Sequence, residues 1–121
     1  MRIYLAGGFH SNWQDEIKQR CPEHTFFDPR TDADQKFAYR WTIQEIEGMK
    51  ISELVFAYFE IDNPSGLGLA KEIGWATILG IPVWYVDEHE RINAFLCACS
   101  QRVYANFEKA IKDLSVYETN T

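Results

Sequence analysis

Apolar residues fall in short runs separated by polar or glycine-rich turns. Ile3, Tyr4, Leu5 and Ala6 form one at the N-terminus, Leu54-Val55-Phe56-Ala57-Tyr58-Phe59 a second, and Ile81 to Val86 a third. Runs this short and this continuous predict parallel strands buried on both faces. Thr25-Phe26-Phe27 predicts a shorter strand. Between the runs the period is helical. Trp13 to Arg20 reads as a helix closed by Pro22, with Glu16 and Lys18 toward solvent. Tyr39 to Met49 carries Trp41, Ile43, Ile46 and Met49 at roughly helical spacing, flanked by Glu45 and Glu47. Asn63 to Val86 holds a Pro-Ser-Gly turn, a helical pattern stopped by Gly80, and a strand. With the preceding run this is one βαβ unit, whose crossover is expected to be right-handed. Thr31 to Phe37 is polar and predicts an irregular loop able to close over a ligand. Asp87 to Arg91 predicts a solvated loop, Ile92 to Cys99 and Val103 to Leu114 predict helices, and Tyr117 to Thr121 predicts a frayed tail.

Strands alternating with helices predict a single α/β domain over residues 1–121, a doubly wound parallel sheet flanked by helices. Composition supports a packed core, with 46% hydrophobic and 15% aromatic residues. The net charge of −6 counts against a nucleic acid polymer as partner, because phosphate backbones need clustered Lys and Arg. No run reaches membrane-spanning length, and the N-terminal run is too short for a signal peptide, so a cytoplasmic protein with no membrane partner is expected. Cys21, Cys97 and Cys99 fit neither a disulfide framework nor a zinc site. Cys97 and Cys99 read as buried thiols in an apolar helix. His10, His24 and His89 lack metal-ligand spacing, so no metal is expected. There is no phosphate-binding loop, no GxSxG elbow and no cofactor signature; Gly7-Gly8 falls short of GxGxxG.

Carboxylates remain as catalytic candidates: Glu72, Glu45, Glu60, Asp62 and Asp28. Glu72 is the one carboxylate in a stretch of Gly, Ala, Leu, Ile and Trp. It reads either as a first-turn glutamate that complements the helix dipole or pairs with a surface Lys, or as a pocket carboxylate acting as nucleophile toward a sugar carbon. The Gly7-Gly8 turn either lets backbone N–H groups approach a ligand or only links strand to helix. Asp28 and Arg30 either enter the same crevice or form a local pair shaping the turn.

Taken together, Ile3-Tyr4-Leu5-Ala6-Gly7-Gly8, Asp28-Pro29-Arg30, Glu45 to Phe59, Glu72-Ile73-Gly74-Trp75-Ala76 and Gly80-Ile81-Pro82-Val83 resemble the nucleoside 2-deoxyribosyltransferase superfamily. The WQDEI and FDPR pieces are most similar to its deoxyribosyltransferase-like branch. The resemblance implies a flavodoxin-like, Rossmann-like fold and no cofactor. It implies N-glycosidic bond cleavage or base exchange on a (deoxy)nucleoside or its 5′-monophosphate through a covalent glycosyl-Glu intermediate. Glu72 stands at the family's nucleophile and Glu45 at the position of an acid that protonates the leaving base. Tyr4, Gly7, Gly8, Phe9, Asp28, Arg30, Asn63, Ser65, Gly66 and Gly68 would line the sugar or its 5′ group. A homodimer or larger homo-oligomer is implied, in which a neighbouring subunit contributes to the site, with Asn93 the candidate residue. The sequence departs from the family at Gly66, where transferases carry Asp; Ser65 or Asn63 is the expected substitute. That departure keeps a second reading open, a non-catalytic protein that senses or sequesters a nucleotide-derived ligand. A plain interaction domain with a vestigial pocket is the third.

Overall fold

A computed structural model describes residues 1–117. Strands β1 (Arg2–Gly7), β2 (Thr25–Phe27), β3 (Leu54–Phe59), β4 (Val83–Asp87) and β5 (Arg102–Tyr104) form one sheet in the order β2-β1-β3-β4-β5, every pairing parallel. This is the flavodoxin-like strand order. The helices are α1 (Trp13–Arg20), α2 (Pro29–Asp32), α3 (Ala38–Lys50), α4 (Leu67–Leu79), α5 (Ala94–Ala98) and α6 (Phe107–Ser115). No helix among the described residues is long and apolar enough to cross a membrane.

The central strands read as unbroken apolar runs because both of their faces are covered. Ile3, Leu5, Phe56, Trp84 and Val86 face α1 and α6, packing on Trp13, Ile17, Phe107, Ile111 and Leu114. Tyr4, Ala6, Val55, Ala57, Val83 and Tyr85 face the other way, with Met49 of α3 and Leu69, Ile73 and Ala76 of α4. In this strand order the winding of the sheet switches sides between β1 and β3. Ligands of such sheets bind beyond the carboxyl ends at that reversal.

Several expectations fail, each for a local reason. Val103 to Leu114 is not one helix. Arg102 to Tyr104 pairs with β4 as a fifth strand, with Arg102 stacked 4.2 Å over the Trp84 ring, and Asn106 then caps α6 by accepting from Lys109 N. Residues 92–99 form only the short α5, capped by Asn93, with Leu96 as its one buried residue. Cys97 is therefore half-buried and Cys99 exposed, while Cys21 is buried. The segment Asp87 to Arg91 is not simply solvated. Asp87 is buried and accepts bonds from Tyr85 Oη, His89 N, His89 Nδ1 and Asn93 N, which pins the loop after β4. Thr31 and Asp32 belong to α2, and the irregular loop starts after them. Lys18 is not free toward solvent but paired with Asp28. Of the expected tail, Tyr117 packs on Trp84, and residues 118–121 lie outside the described residues.

Candidate active site

Helix α4 begins at Gly66, whose left-handed φ of 63° suits glycine. A Cβ there would lie 2.9 Å from Phe59 Cζ, so the turn also needs a residue without a side chain. Asn63 builds the turn, its Oδ1 accepting from Ser65 N and Gly66 N. The buried residues of α4 are Leu69, Glu72, Ile73 and Ala76. That i, i+3, i+4, i+7 spacing is a core-facing stripe with a glutamate inside it. Helix α3 does the same with Glu45, Gly48 and Met49. Glu45 thus faces inward rather than flanking the stripe, while Ile43 is exposed.

The two helices bring Glu45 and Glu72 together beneath Tyr4 of β1. Glu45 is 7% and Glu72 6% exposed. Glu45 Oε1, Glu72 Oε2 and Tyr4 Oη are buried and lack hydrogen-bond partners among the described residues. Tyr4 is set by stacking on Phe27, with centroids 5.3 Å apart and planes 11° apart. Phe27 in turn fits against Gly48, where a Cβ would come within 2.4 Å of its ring. Burial pushes Glu72 up to about 8; the Tyr4 hydroxyl, near the carboxyl without closing a hydrogen bond, opposes that rise, Glu45 adds to it, and Lys71 opposes it. The helix dipole does not hold Glu72 ionised, because its sixth position in α4 lies past the first turn, where that field fades. Burial also raises Glu45, against the pull of Lys71, whose Nζ is 3.7 Å from Glu45 Oε1. Burial and the charge of Glu72 keep the Tyr4 phenol protonated. Two acids with raised affinities, close enough to feel one another, can share a proton: one carboxylate attacks while its partner donates.

The other sequence candidates divide. Gly7 is required where it stands, at φ 149°, since a Cβ would meet Tyr58 O at 2.6 Å. Gly8 O accepts from Trp13 Nε1 and Gln14 Nε2, and the loop is tied to the end of β3 by Glu60, which accepts from His10 N and Ser11 Oγ. Phe9 is half exposed on the rim. Ser65 is exposed, and Gly68 has open space where its side chain would be. Asn63 spends its Oδ1 on the turn, which leaves its amide nitrogen as the group available to a ligand. Asp28 and Arg30 form the local cluster. Asp28 is fully buried, caps α2, and bonds Arg30 Nη2 and Lys18 Nζ at 2.7 Å each, while Arg30 also reaches Asp15. Burial works against the Asp28 charge, but Arg30 and Lys18 outweigh it and hold the carboxyl below its usual range. Asp28 and Arg30 thus satisfy each other, and among the described residues no hydrogen bond ties them to the glutamate pair.

Sequence reasoning missed Lys71, Gly48, Phe27 and Asp87. Lys71 and Trp75 lie four apart on α4, a spacing that marks a stacked cation in advance. A cleft of about 480 Å³ at the carboxyl ends of β3 and β4 is lined by Phe59, His89, Arg91, Asn93 and Phe95 among others. Another of about 450 Å³ lies over Trp13, Tyr58 and Phe107. Neither includes Glu45 or Glu72. Both clefts are open surface, whereas the carboxyl pair is a closed polar site marked by its unpartnered atoms.

No protein-family model and no curated protein sequence matches the chain. Solved structures match over nearly its whole length. A 2-deoxyribosyltransferase from the psychrotolerant bacterium Bacillus psychrosaccharolyticus superposes with a TM-score of 0.74 at 22% identity, covering 98% of this chain and 93% of that one. The Clostridium botulinum CMP N-glycosidase BcmB gives 0.70 at 17%, covering 98% and 100%. A 2-deoxyribosyltransferase from Leishmania mexicana gives 0.69 at 16%, covering 97% and 99%. The chain has the fold of these proteins, which is the fold the sequence resemblance implied.

Proposed function

We propose that the protein cleaves or exchanges the N-glycosidic bond of a (deoxy)nucleoside or its 5′-monophosphate, with Glu72 as nucleophile and Glu45 as proton donor. The observation that carries this reading is the buried pair itself: two carboxyls on facing helices beside the Tyr4 hydroxyl, with Glu45 Oε1 met only by Lys71 Nζ at 3.7 Å and no closed hydrogen bond on Glu72 Oε2 or Tyr4 Oη among the described residues. Such an arrangement costs folding free energy and gains nothing from core packing. The named activities of the structural neighbours, deoxyribosyl transfer and CMP N-glycoside cleavage, support the same bond as the target.

In the reaction, a Glu72 oxygen attacks the anomeric carbon and the carbon–nitrogen bond breaks. Its electron pair goes to the base, which takes the proton from Glu45. Water or a second base then displaces Glu72 and returns a proton to Glu45. The competent state has one proton on the pair. Because burial pushes Glu72 up to about 8, the last proton leaves the pair as pH passes about 8, and kcat/KM should fall there.

A second reading, ligand binding without turnover, has one observation in its favour. Gly66 sits in a left-handed turn whose side-chain space Phe59 fills, so the family's aspartate has no place there.

We also read the outer face of α3 and α4 as the seat of a second copy. Ile46, Trp75, Ile78 and Leu79 line a shallow apolar groove of about 180 Å³, with Ile78 88% exposed. Ile78→Glu should convert a dimer to monomer in sedimentation; an unchanged mass would remove this face from the assembly. With such a substrate, we read the protein as working in the cytoplasm.

The test is incubation of the protein and its Glu72→Ala variant with deoxynucleosides and their 5′-monophosphates, with and without an acceptor base, following free base by chromatography. Release by the wild type alone is expected. No release or exchange with any substrate would select the binding reading.

A further inference from the structure

Lys71 is a residue that glycosyl transfer by two carboxyls does not itself require. Its Nζ lies 3.7 Å from Glu45 Oε1 across the contact between α3 and α4. The same ammonium sits 4.7 Å over the Trp75 ring, one turn further along α4. The lysine side chain is 41% exposed and that of Glu45 10%, so Lys71 spans from solvent to the closed pair. Tyr4 from β1, Glu45 from α3 and Lys71 from α4 are the titratable groups that bear on Glu72, and Lys71 is the one cation among them. It favours the charged form of both glutamates, and it is paired directly with Glu45 alone.

We infer that Lys71 is a positioning residue for the carboxyl pair: seated on Trp75 and paired with Glu45, its ammonium determines which carboxyl carries the shared proton before substrate enters. In the empty site it favours a Glu45 carboxylate and a protonated Glu72. The reaction needs the reverse. A base arriving at Glu45 takes the place of the ion pair, and one proton passes from Glu72 to Glu45, leaving the nucleophile charged and the acid loaded. No other group changes charge. The catalytic meaning rests on the function proposed above, but the test does not depend on it.

The test is a titration of the empty protein with 13C-labelled glutamate side chains, followed by NMR and assigned with Glu45→Gln and Glu72→Gln. Lys71→Met removes the charge from a half-exposed site and keeps the stem on Trp75. It is expected to move both carboxyl titrations to higher pH, Glu45 by more, with shifts of about half a unit to one unit given solvent screening. Lys71→Arg should restore the wild-type curve. Titrations unchanged in Lys71→Met would overturn the inference, whether or not base is released. If the wild type turns over, both limbs of its kcat/KM profile should move the same way in Lys71→Met; a uniform drop with unmoved limbs would also overturn it. If the wild type releases no base, the glycosyl reading fails while the NMR titration still decides the role of Lys71.

Discussion

The two faces of the sheet are built to different ends. On the α1 and α6 side the filling is aromatic. Tyr58 and Phe107 stack with centroids 4.6 Å apart, and Trp13 meets Tyr58, Phe56 and Phe107. Polar groups there have partners: Trp13 Nε1 bonds Gly8 O, His24 Nε2 bonds Leu114 O, and Tyr58 Oη bonds Glu88, with one amide oxygen of Gln14 left over. On the α3 and α4 side the sheet presents Ala6 and Ala57, and the helices place two carboxyls and face a phenol with unpartnered atoms. One face is packed for stability. The other carries buried polar atoms without hydrogen-bond partners among the described residues, the feature on which the proposed reaction rests.

The largest contrast is expected in activity. Glu72→Gln should lower base release by about 10³-fold or more while the protein stays folded, as loss of a nucleophile does. A fold-intact variant with near wild-type rate would erase the difference between the faces. The next contrast is in stability. Phe107→Ala should cost about 3–5 kcal/mol in denaturant unfolding, because it empties a close-packed aromatic cluster. Tyr4→Phe removes an unsatisfied buried hydroxyl on the other face and should be neutral or stabilising by the same measurement. A large loss there would show that the hydroxyl has a structural partner.

The pH dependence sharpens the comparison further. Glu72 is raised from 4.5 to about 8 on folding. A carboxyl raised in the folded state contributes fully below its unfolded value, and that contribution is lost as pH climbs through the folded one. Each unit crossed in the window from 4.5 to about 8 removes up to about 1.4 kcal/mol. Thermal melting of wild type against Glu72→Gln should therefore diverge as pH rises, the variant melting higher at pH 9. Parallel curves would mean that Glu72 is not protonated in the folded protein. A modest loss is expected at the turn into α4. Gly66→Ala forces a side chain into a left-handed conformation against the Phe59 ring and should cost about 1–2 kcal/mol.

Much of this was legible in the chain. The continuous apolar runs announced β1, β3 and β4, and Gly66 and Gly80 bracket α4 as the turn pattern implied. Glu72 stood out because it interrupts an apolar stripe. Glu45 was named by resemblance, yet its inward position was hidden because Trp41, Ile43 and Ile46 suggest a differently rotated face. The strand β5 was missed because Arg102-Val103-Tyr104 is short and mostly exposed, and is held by pairing with β4 and by Arg102 over Trp84, both tertiary contacts. The pairing of Lys71 with Glu45 and the fit of Phe27 against Gly48 join positions 26 and 21 residues apart, and local pattern does not report such contacts.

The most direct measurement is intact and peptide mass spectrometry of the protein after incubation with a nucleoside analogue whose glycosyl-enzyme is slow to turn over. A single added sugar mapped to the peptide carrying Glu72, absent in Glu72→Gln, is the predicted result. Turnover of natural substrate with the adduct on another residue, or with Glu72→Gln as active as the wild type, would contradict the account.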